Sequence, residues 1–257
     1  MSEPVEAKGH SGEVIAVEYI PTLQLLVTSG AKEGCLRCWE IHSIQELQII
    51  PNRRQGNASE PQVMLKWLSE GRAVSIRGPK PNAQGSGCQR DDQGFSNRLI
   101  SGGASGGINI WEVSGNGLHI THHLTGHTDA VTAACIIPQP DIVVSGGMDA
   151  DLRVWETSTR QCKRVLKGHS KGVSDIDYSP SQRIIVSAGF DHDILVWSPV
   201  VGQVICQLTG HTCSLVGIGV SQVLSEMVSM SVDGVIKVWD TSNFKCVQTL
   251  HAAQVET

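Results

Sequence analysis

The chain has 257 residues, 40% of them apolar and 18% charged, with a net charge of −5. That acidic balance argues against a general nucleic-acid or anionic-membrane surface, and no apolar run approaches the roughly 18 residues of a membrane helix, so membrane insertion is not expected. The opening MSEPVEAKGH lacks the apolar stretch of a secretory signal, so the expected setting is a thiol-reducing compartment, the cytoplasm, with nucleus and cilium as alternatives.

Residues 1–8 read as a tail. A first unit of short strands follows over about 9–50, running from Gly9-His10 past Trp39-Glu40. A second unit spans about 51–125, with candidate strands at Val63–Leu68 (VMLKWL), Arg98–Gly102 and Ile108–Trp111. Between the first two lies GPKPNAQGSGCQRDDQG, whose Gly, Pro, Gln and charge predict a mobile surface insertion near 72–95. Residues 51–98 hold eight Lys or Arg against four Asp or Glu, so a local basic patch is the second reading of that segment. Trp67 falls outside the tryptophan register and reads as strand packing. Ser101–Gly107 (SGGASGG) is Gly-rich, but strands flank it and no helix follows to receive a phosphate, so it reads as a tight turn.

The next three units, about 126–167, 168–209 and 210–250, repeat most closely. Gly126-His127, Gly168-His169 and Gly210-His211 are 42 residues apart, as are Trp155, Trp197 and Trp239, and each His precedes its Trp by 28. In the first unit His10 precedes Trp39 by 29. Ten residues before each Trp stands a serine: Ser29, Ser101, Ser145, Ser187 and Ser229. Six before stand Asp149, Asp191 and Asp233, with Glu33 and Ser105 in the first two units. Within the fourth unit VSDIDY, RIIVSA, ILVW and VICQL are β-rich runs separated by turn residues. Four short strands at this period are the signature of a β-propeller blade. The expected fold is all-β, with about five four-stranded antiparallel blades over 9–250 and a tail at 251–257.

His169, Ser187 and Asp191 are the residue types of a hydrolase triad. The same three types recur in identical register in the third, fourth and fifth units. A triad is needed once, whereas a packing device is needed in every repeat. The expectation is therefore a non-enzymatic chain, with a hydrolase as the alternative.

The Gly-His starts, the Trp39-Glu40, Trp111-Glu112, Trp155-Glu156 and Trp239-Asp240 ends and the Asp before each third strand resemble the WD-repeat β-propeller family. The resemblance covers residues 9–250 except the insertion. It implies a hydrogen-bonded structural tetrad in each complete blade: His127, Ser145, Asp149, Trp155; His169, Ser187, Asp191, Trp197; and His211, Ser229, Asp233, Trp239. The first unit departs from the pattern with Glu33, and the second with Ser105 and no Gly-His. Family members usually close with seven blades and an N-terminal sealing strand. Five units beginning at Gly9 thus lead to the expectation of a partial propeller, with a closed five-blade ring or an open arc completed by another chain as alternatives.

The resemblance also implies a scaffold that assembles multiprotein complexes, as in ubiquitin ligases, signalling, trafficking or ciliary machinery. Other proteins are the expected partners; a small-molecule substrate, a nucleic acid and a cofactor are not expected. The family's usual top-face positions point to Met148, Phe190 and Val232, which precede the tetrad Asp, and to Asp129, Lys171 and Cys213, which follow the Gly-His. Met148 and Phe190 stand out, because an apolar side chain in an exposed turn anchors a partner. Nucleic-acid or phosphoinositide binding through 51–98 is the alternative.

The remaining constellations are weak. Cys35-Leu36-Arg37-Cys38 is a lone CxxC on a strand, where residues three apart point to opposite faces. Cys162, Cys206 and Cys246 read as small apolar strand residues. His119 and His123 are expected to share a strand face beside His122, a candidate metal pair. Asp191-His192-Asp193 lacks EF-hand spacing. No metal is expected.

Overall fold

The computed structural model describes residues 9–20, 23–32, 35–40, 45–51, 62–68, 98–114, 117–137, 141–221 and 223–251. They form five four-stranded antiparallel sheets in chain order. Blade 1 is β1 (Val14–Ile20), β2 (Leu25–Gly30), β3 (Cys35–Glu40) and β4 (Gln45–Pro51). Blade 2 is β5 (Gln62–Leu68), β6 (Arg98–Gly103), β7 (Gly107–Ser114) and β8 (Gly117–Thr125). Blade 3 is β9 (Val131–Ile137), β10 (Ile142–Gly147), β11 (Asp151–Glu156) and β12 (Gln161–Lys167). Blade 4 is β13 (Val173–Ser179), β14 (Ile184–Gly189), β15 (Ile194–Trp197) and β16 (Val204–Leu208). Blade 5 is β17 (Leu215–Val220), β18 (Glu226–Ser231), β19 (Val235–Asp240) and β20 (Lys245–His251). The strands expected in the second and fourth units coincide with these to within a residue, except that β7 continues three residues beyond Trp111 to Ser114. The predicted insertion near 72–95 lies outside the described residues, as does the side chain of Trp67.

Each blade is a meander whose local chemistry suits its twist. Register shifts recur at the tryptophan of every third strand, where it meets the fourth, and near the start of every first strand. Such bulges increase right-handed twist. The turn between second and third strands needs one residue in the left-handed region, and Gly106, Ala150, His192 and Gly234 occupy it with φ of 89°, 64°, 76° and 76°.

The core lies between blades, in four clusters. Each joins the aliphatic face of one blade to the tryptophan face of the next: Val27 and Leu36 with Trp111; Ile100 and Ile110 with Trp155; Val144 and Leu152 with Trp197; Val186 and Ile194 with Trp239. Truncating one such buried tryptophan to alanine typically costs about 3–5 kcal/mol. The first strands form the inner wall, β1 beside β5, then β9, β13 and β17. Hydrogen bonds pin neighbouring blades there. Thr132 Oγ1 donates to the Val173 carbonyl at 2.5 Å, and the Asp175 and Asp177 carboxylates accept from the Ile218 and Val220 amides at 2.9 and 2.8 Å. Elsewhere Arg98 binds both oxygens of Asp141 at 2.8 and 2.6 Å, joining blade 2 to blade 3.

Among the described residues the five sheets do not close into a ring. Among the described residues no contact of comparable extent joins β17 to β1. The outward faces of blades 1 and 5 consequently keep apolar side chains in solvent, among them Val14, Val17 and Tyr19, and Val228, Met230 and Leu250.

Candidate functional site

Blades 3 and 4 each carry one complete polar network. In blade 3 the Trp155 indole donates to Ser145 Oγ at 2.8 Å, Ser145 Oγ lies 2.7 Å from His127 Nε2, and His127 Nδ1 lies 2.9 Å from both Asp149 oxygens. Asp149 also accepts the Thr128 amide at 3.0 Å. Blade 4 repeats this with Trp197, Ser187, His169 and Asp191 at 2.8, 2.7 and 3.0 Å, and with the Ser170 amide at 2.8 Å. The donor inventory assigns the protons. An indole only donates, so the serine oxygen accepts and its single O–H goes to Nε2; Nδ1–H then donates to the carboxylate.

Burial lowers the His127 pKa against the pull of Asp149, which favours the neutral imidazole this network requires. Burial opposes ionisation of Asp149 and Asp191, yet the Thr128 and Ser170 amides and the paired histidines outweigh it and hold both below the ordinary aspartate value.

The atoms run Asp–His–Ser, the connectivity of a hydrolase triad. The serine is nonetheless sealed. Ser145 and Ser187 have 0% exposure and each accepts an indole N–H. No carbonyl carbon has a path to either oxygen. What the arrangement does is satisfy four buried polar side chains at once and tie the second and third strands to the loop before the first.

The other three blades solve the same problem differently. In blade 5 His211 Nε2 meets Ser229 at 2.8 Å and the Trp239 indole meets Ser229 at 2.9 Å, but His211 Nδ1 reaches Ser231 at 2.9 Å, and Ser231 in turn donates to Asp233 at 2.5 Å. The direct His211–Asp233 bond expected from the repeat is thus replaced by a relay. The cause is a single residue. Blades 3 and 4 have Gly147 and Gly189 at that position, where a Cβ would sit 2.8 and 2.1 Å from the aspartate oxygen. Ser231 cannot leave that space open, so it takes the bond itself.

In blade 1 the hydroxyl is Thr28, not Ser29. His10 Nε2 and the Trp39 indole both meet Thr28 Oγ1 at 2.9 Å, while Ser29 Oγ is buried with no hydrogen-bond partner among the described residues. The one-residue longer spacing from His10 to Trp39 carried that signal. Glu33 lies outside the described residues. Blade 2 lacks the histidine and uses Gln62, whose Oε1 accepts Ser101 Oγ at 2.6 Å and Asn109 at 3.4 Å while the Trp111 indole donates to Ser101 at 2.8 Å. No repeat position marks a glutamine for this part, and sequence reasoning missed it.

The turns beside these networks form one end of the arc. The amides of Met148, Phe190 and Val232 donate to the carbonyls of Ala130, Gly172 and Ser214 at 2.8, 2.9 and 2.9 Å, so the three residues hold equivalent places. Met148 and Val232 are exposed and Phe190 is half-buried. Met148 and Phe190 converge: a Cβ built on Gly172 would be 3.0 Å from Met148 Sδ and 3.3 Å from Phe190 Cδ2. Asp129 and Lys171 are exposed on the same loops, Asp129 bonding the Ala130 amide at 2.7 Å, and Cys213 is half-buried beside Asp233.

The candidate metal residues do not assemble. A bulge near Thr121 sets His119 opposite Glu112 and His123 opposite Asn109, three residues apart on β7, so the two histidines face opposite sides. This corrects the expected shared face. His123 instead bonds Asn109 at 2.6 Å. Cys35 and Cys38 are buried, and burial raises the Cys38 thiol to about 12. Among the described residues no cluster of three metal-ligating side chains occurs. Most of the basic 51–98 segment lies outside the described residues.

Comparison with known proteins agrees with this geometry. The family model "WD domain, G-beta repeat" matches residues 3–40, 118–156 and 160–198. The chain is 26% identical over 162 residues to "Cell division control protein 4" of Candida albicans, covering 63% of this chain and 21% of that protein. It is 31% identical over 72 residues to human "Pre-mRNA-processing factor 19", covering 28% and 14%. The chain thus spans about a fifth or less of these relatives' lengths. Among solved structures it superposes on the computationally designed Ika8 protein with a TM-score of 0.69 at 24% identity, over 97% of this chain and 65% of that one. With the WD repeat matched in three stretches and one four-stranded blade topology repeated five times, the chain carries WD repeats on β-propeller blades.

Proposed function

We propose that the chain is a non-catalytic scaffold that binds other proteins through the loops at the tetrad end of the arc. WD-repeat proteins generally serve as interaction scaffolds, and the relatives' names include factors of multi-component processes such as pre-mRNA processing and ribosome biogenesis. The observation that carries the reading is the convergence of Met148 and Phe190 across the gap between blades 3 and 4, with polar Asp129 and Lys171 nearby. An apolar anchor with a polar rim is the usual anatomy of a protein-binding centre.

The test replaces Met148 and Phe190 together by aspartate and compares proteins crosslinked to the chain in cells with those crosslinked to the parent. Retained melting temperature with loss of the crosslinked partners is the expected result. Partners that stay attached while the fold is intact overturn the assignment of this surface.

A further inference from the structure

The fourth strand is the outer edge of every blade, and β16 has no strand on its far side among the described residues. Every second amide and carbonyl of such an edge points away from its neighbour, so it templates a further strand unless charge, proline or twist guards it. By sequence the other four outer strands carry charged or histidine side chains: Glu46 in β4, three histidines in β8, Lys163, Arg164 and Lys167 in β12, and Lys245 in β20. β16 reads VICQL and holds no Asp, Glu, Lys, Arg, His or Pro. It is also the shortest, five residues against seven to nine. That length receives one short segment and does not template an extended sheet.

The same edge is apolar and fixed in place. Val200, Val201, Val204 and Ile205 are 76%, 60%, 39% and 50% exposed. The turn that carries the two valines is pinned on both sides. The Gly202 amide donates to the Ser198 carbonyl at 2.7 Å, the Ser198 amide to the Gln203 carbonyl at 3.0 Å, and Arg164 Nη1 of blade 3 to the Val200 carbonyl at 2.5 Å. Four exposed apolar side chains so close along one fixed backbone make a patch, not a scatter.

Charge at the rim selects the occupant. Together β12, β16 and β20 hold four bases, Lys163, Arg164, Lys167 and Lys245, and no Asp or Glu, in a chain of net charge −5. Lys163 is paired with Glu156 at 2.6 Å, whereas Lys167 and Lys245 are exposed. The Asp193 carboxylate beside β16 is engaged by the Gln207 amide at 2.8 Å. We propose that β16 accepts an extended acidic segment of a partner protein as a fifth strand of blade 4. Main-chain bonds hold the segment, its apolar side chains lie beside Val204 and Ile205, and its carboxylates face Arg164 and Lys167. This rim surface is separate from the Met148 and Phe190 loops.

Anisotropy titrations of the whole chain with two labelled peptides, EEVTVTVEE and KKVTVTVKK, test this. The acidic peptide should bind on the order of tenfold more tightly than the basic one, and added salt should narrow the difference. Methylating alternate backbone nitrogens of the acidic peptide should abolish its binding, because strand pairing uses those amides. Ile205→Asn should keep the parent melting temperature and weaken binding on the order of tenfold. Replacing Met148 and Phe190 together by aspartate should leave this binding unchanged, so the rim and the tetrad-end surface are read separately. Absence of binding, equal binding of the basic peptide, binding that survives backbone methylation, or an Ile205→Asn variant that binds like the parent overturns the proposal.

Discussion

Thr28 and Ser29 are adjacent hydroxyl residues on β2 with opposite fortunes. Thr28 Oγ1 serves both His10 and the Trp39 indole, and Ser29 Oγ is buried with no partner among the described residues. Thr28→Ala leaves the buried Trp39 indole without its acceptor and removes the bond to His10, and should lower unfolding stability by about 2 kcal/mol. Ser29→Ala removes an unsatisfied oxygen and should be neutral or stabilising by up to about 1 kcal/mol. Denaturant unfolding of the two variants checks the pair; a larger loss from Ser29→Ala would contradict the assignment. The repeat alone points to Ser29, because a fixed count back from tryptophan takes no account of a longer turn. Ser231 escaped the same kind of reading: it breaks no hydrophobic pattern, and its effect depends on the space at Gly147 and Gly189. Blades 3 and 4 share the spacing of blade 5 but have Gly147 and Gly189 at the Ser231 position, and there His, Ser, Asp and Trp meet directly as the resemblance implies.

Strands and turns were the most legible level. A constant period, short β-branched runs and turn residues between them place β13 to β16 almost to the residue. What periodicity could not convey was the bulge in β8 that separates His119 from His123, since a bulge leaves composition unchanged while reversing which face a side chain takes. The turn conformation itself is testable. Ala150 holds a φ of 64° where blades 2 and 5 use Gly106 and Gly234. Relief of the left-handed penalty should exceed the added freedom of glycine in the unfolded chain. Ala150→Gly is therefore expected to stabilise by about 0.5–1 kcal/mol in thermal unfolding, and destabilisation would mean the alanine is not strained.

Across the whole molecule the networks make stability depend on pH with one sign. His127 and His211 have folded pKa values lowered by burial, so the unfolded chain binds protons first as pH falls through the ordinary histidine value of 6.5, and stability drops. Asp149 and Asp191 are held below the ordinary aspartate value of 3.8, so their contribution is present above it and is lost as pH falls through their folded values. Melting temperature should fall between pH 7 and 5.5 and again below about pH 4; a profile that is flat from 7 to 5.5 would show that the histidines are not held neutral. The architecture of blades was legible from the period, and five units against the family's usual seven pointed to an incomplete or open arc; which of the alternatives holds depends on the rotation per blade, which no local pattern encodes.

All of this rests on the His, Ser, Asp and Trp sets being braces that hold each blade together. The most direct test is urea unfolding of Ser187→Ala beside the parent chain. Removing that oxygen leaves the buried Trp197 indole and His169 Nε2 without their shared partner. A loss of about 2–4 kcal/mol is the predicted result. A variant within about 0.5 kcal/mol of the parent would contradict the structural role of the network.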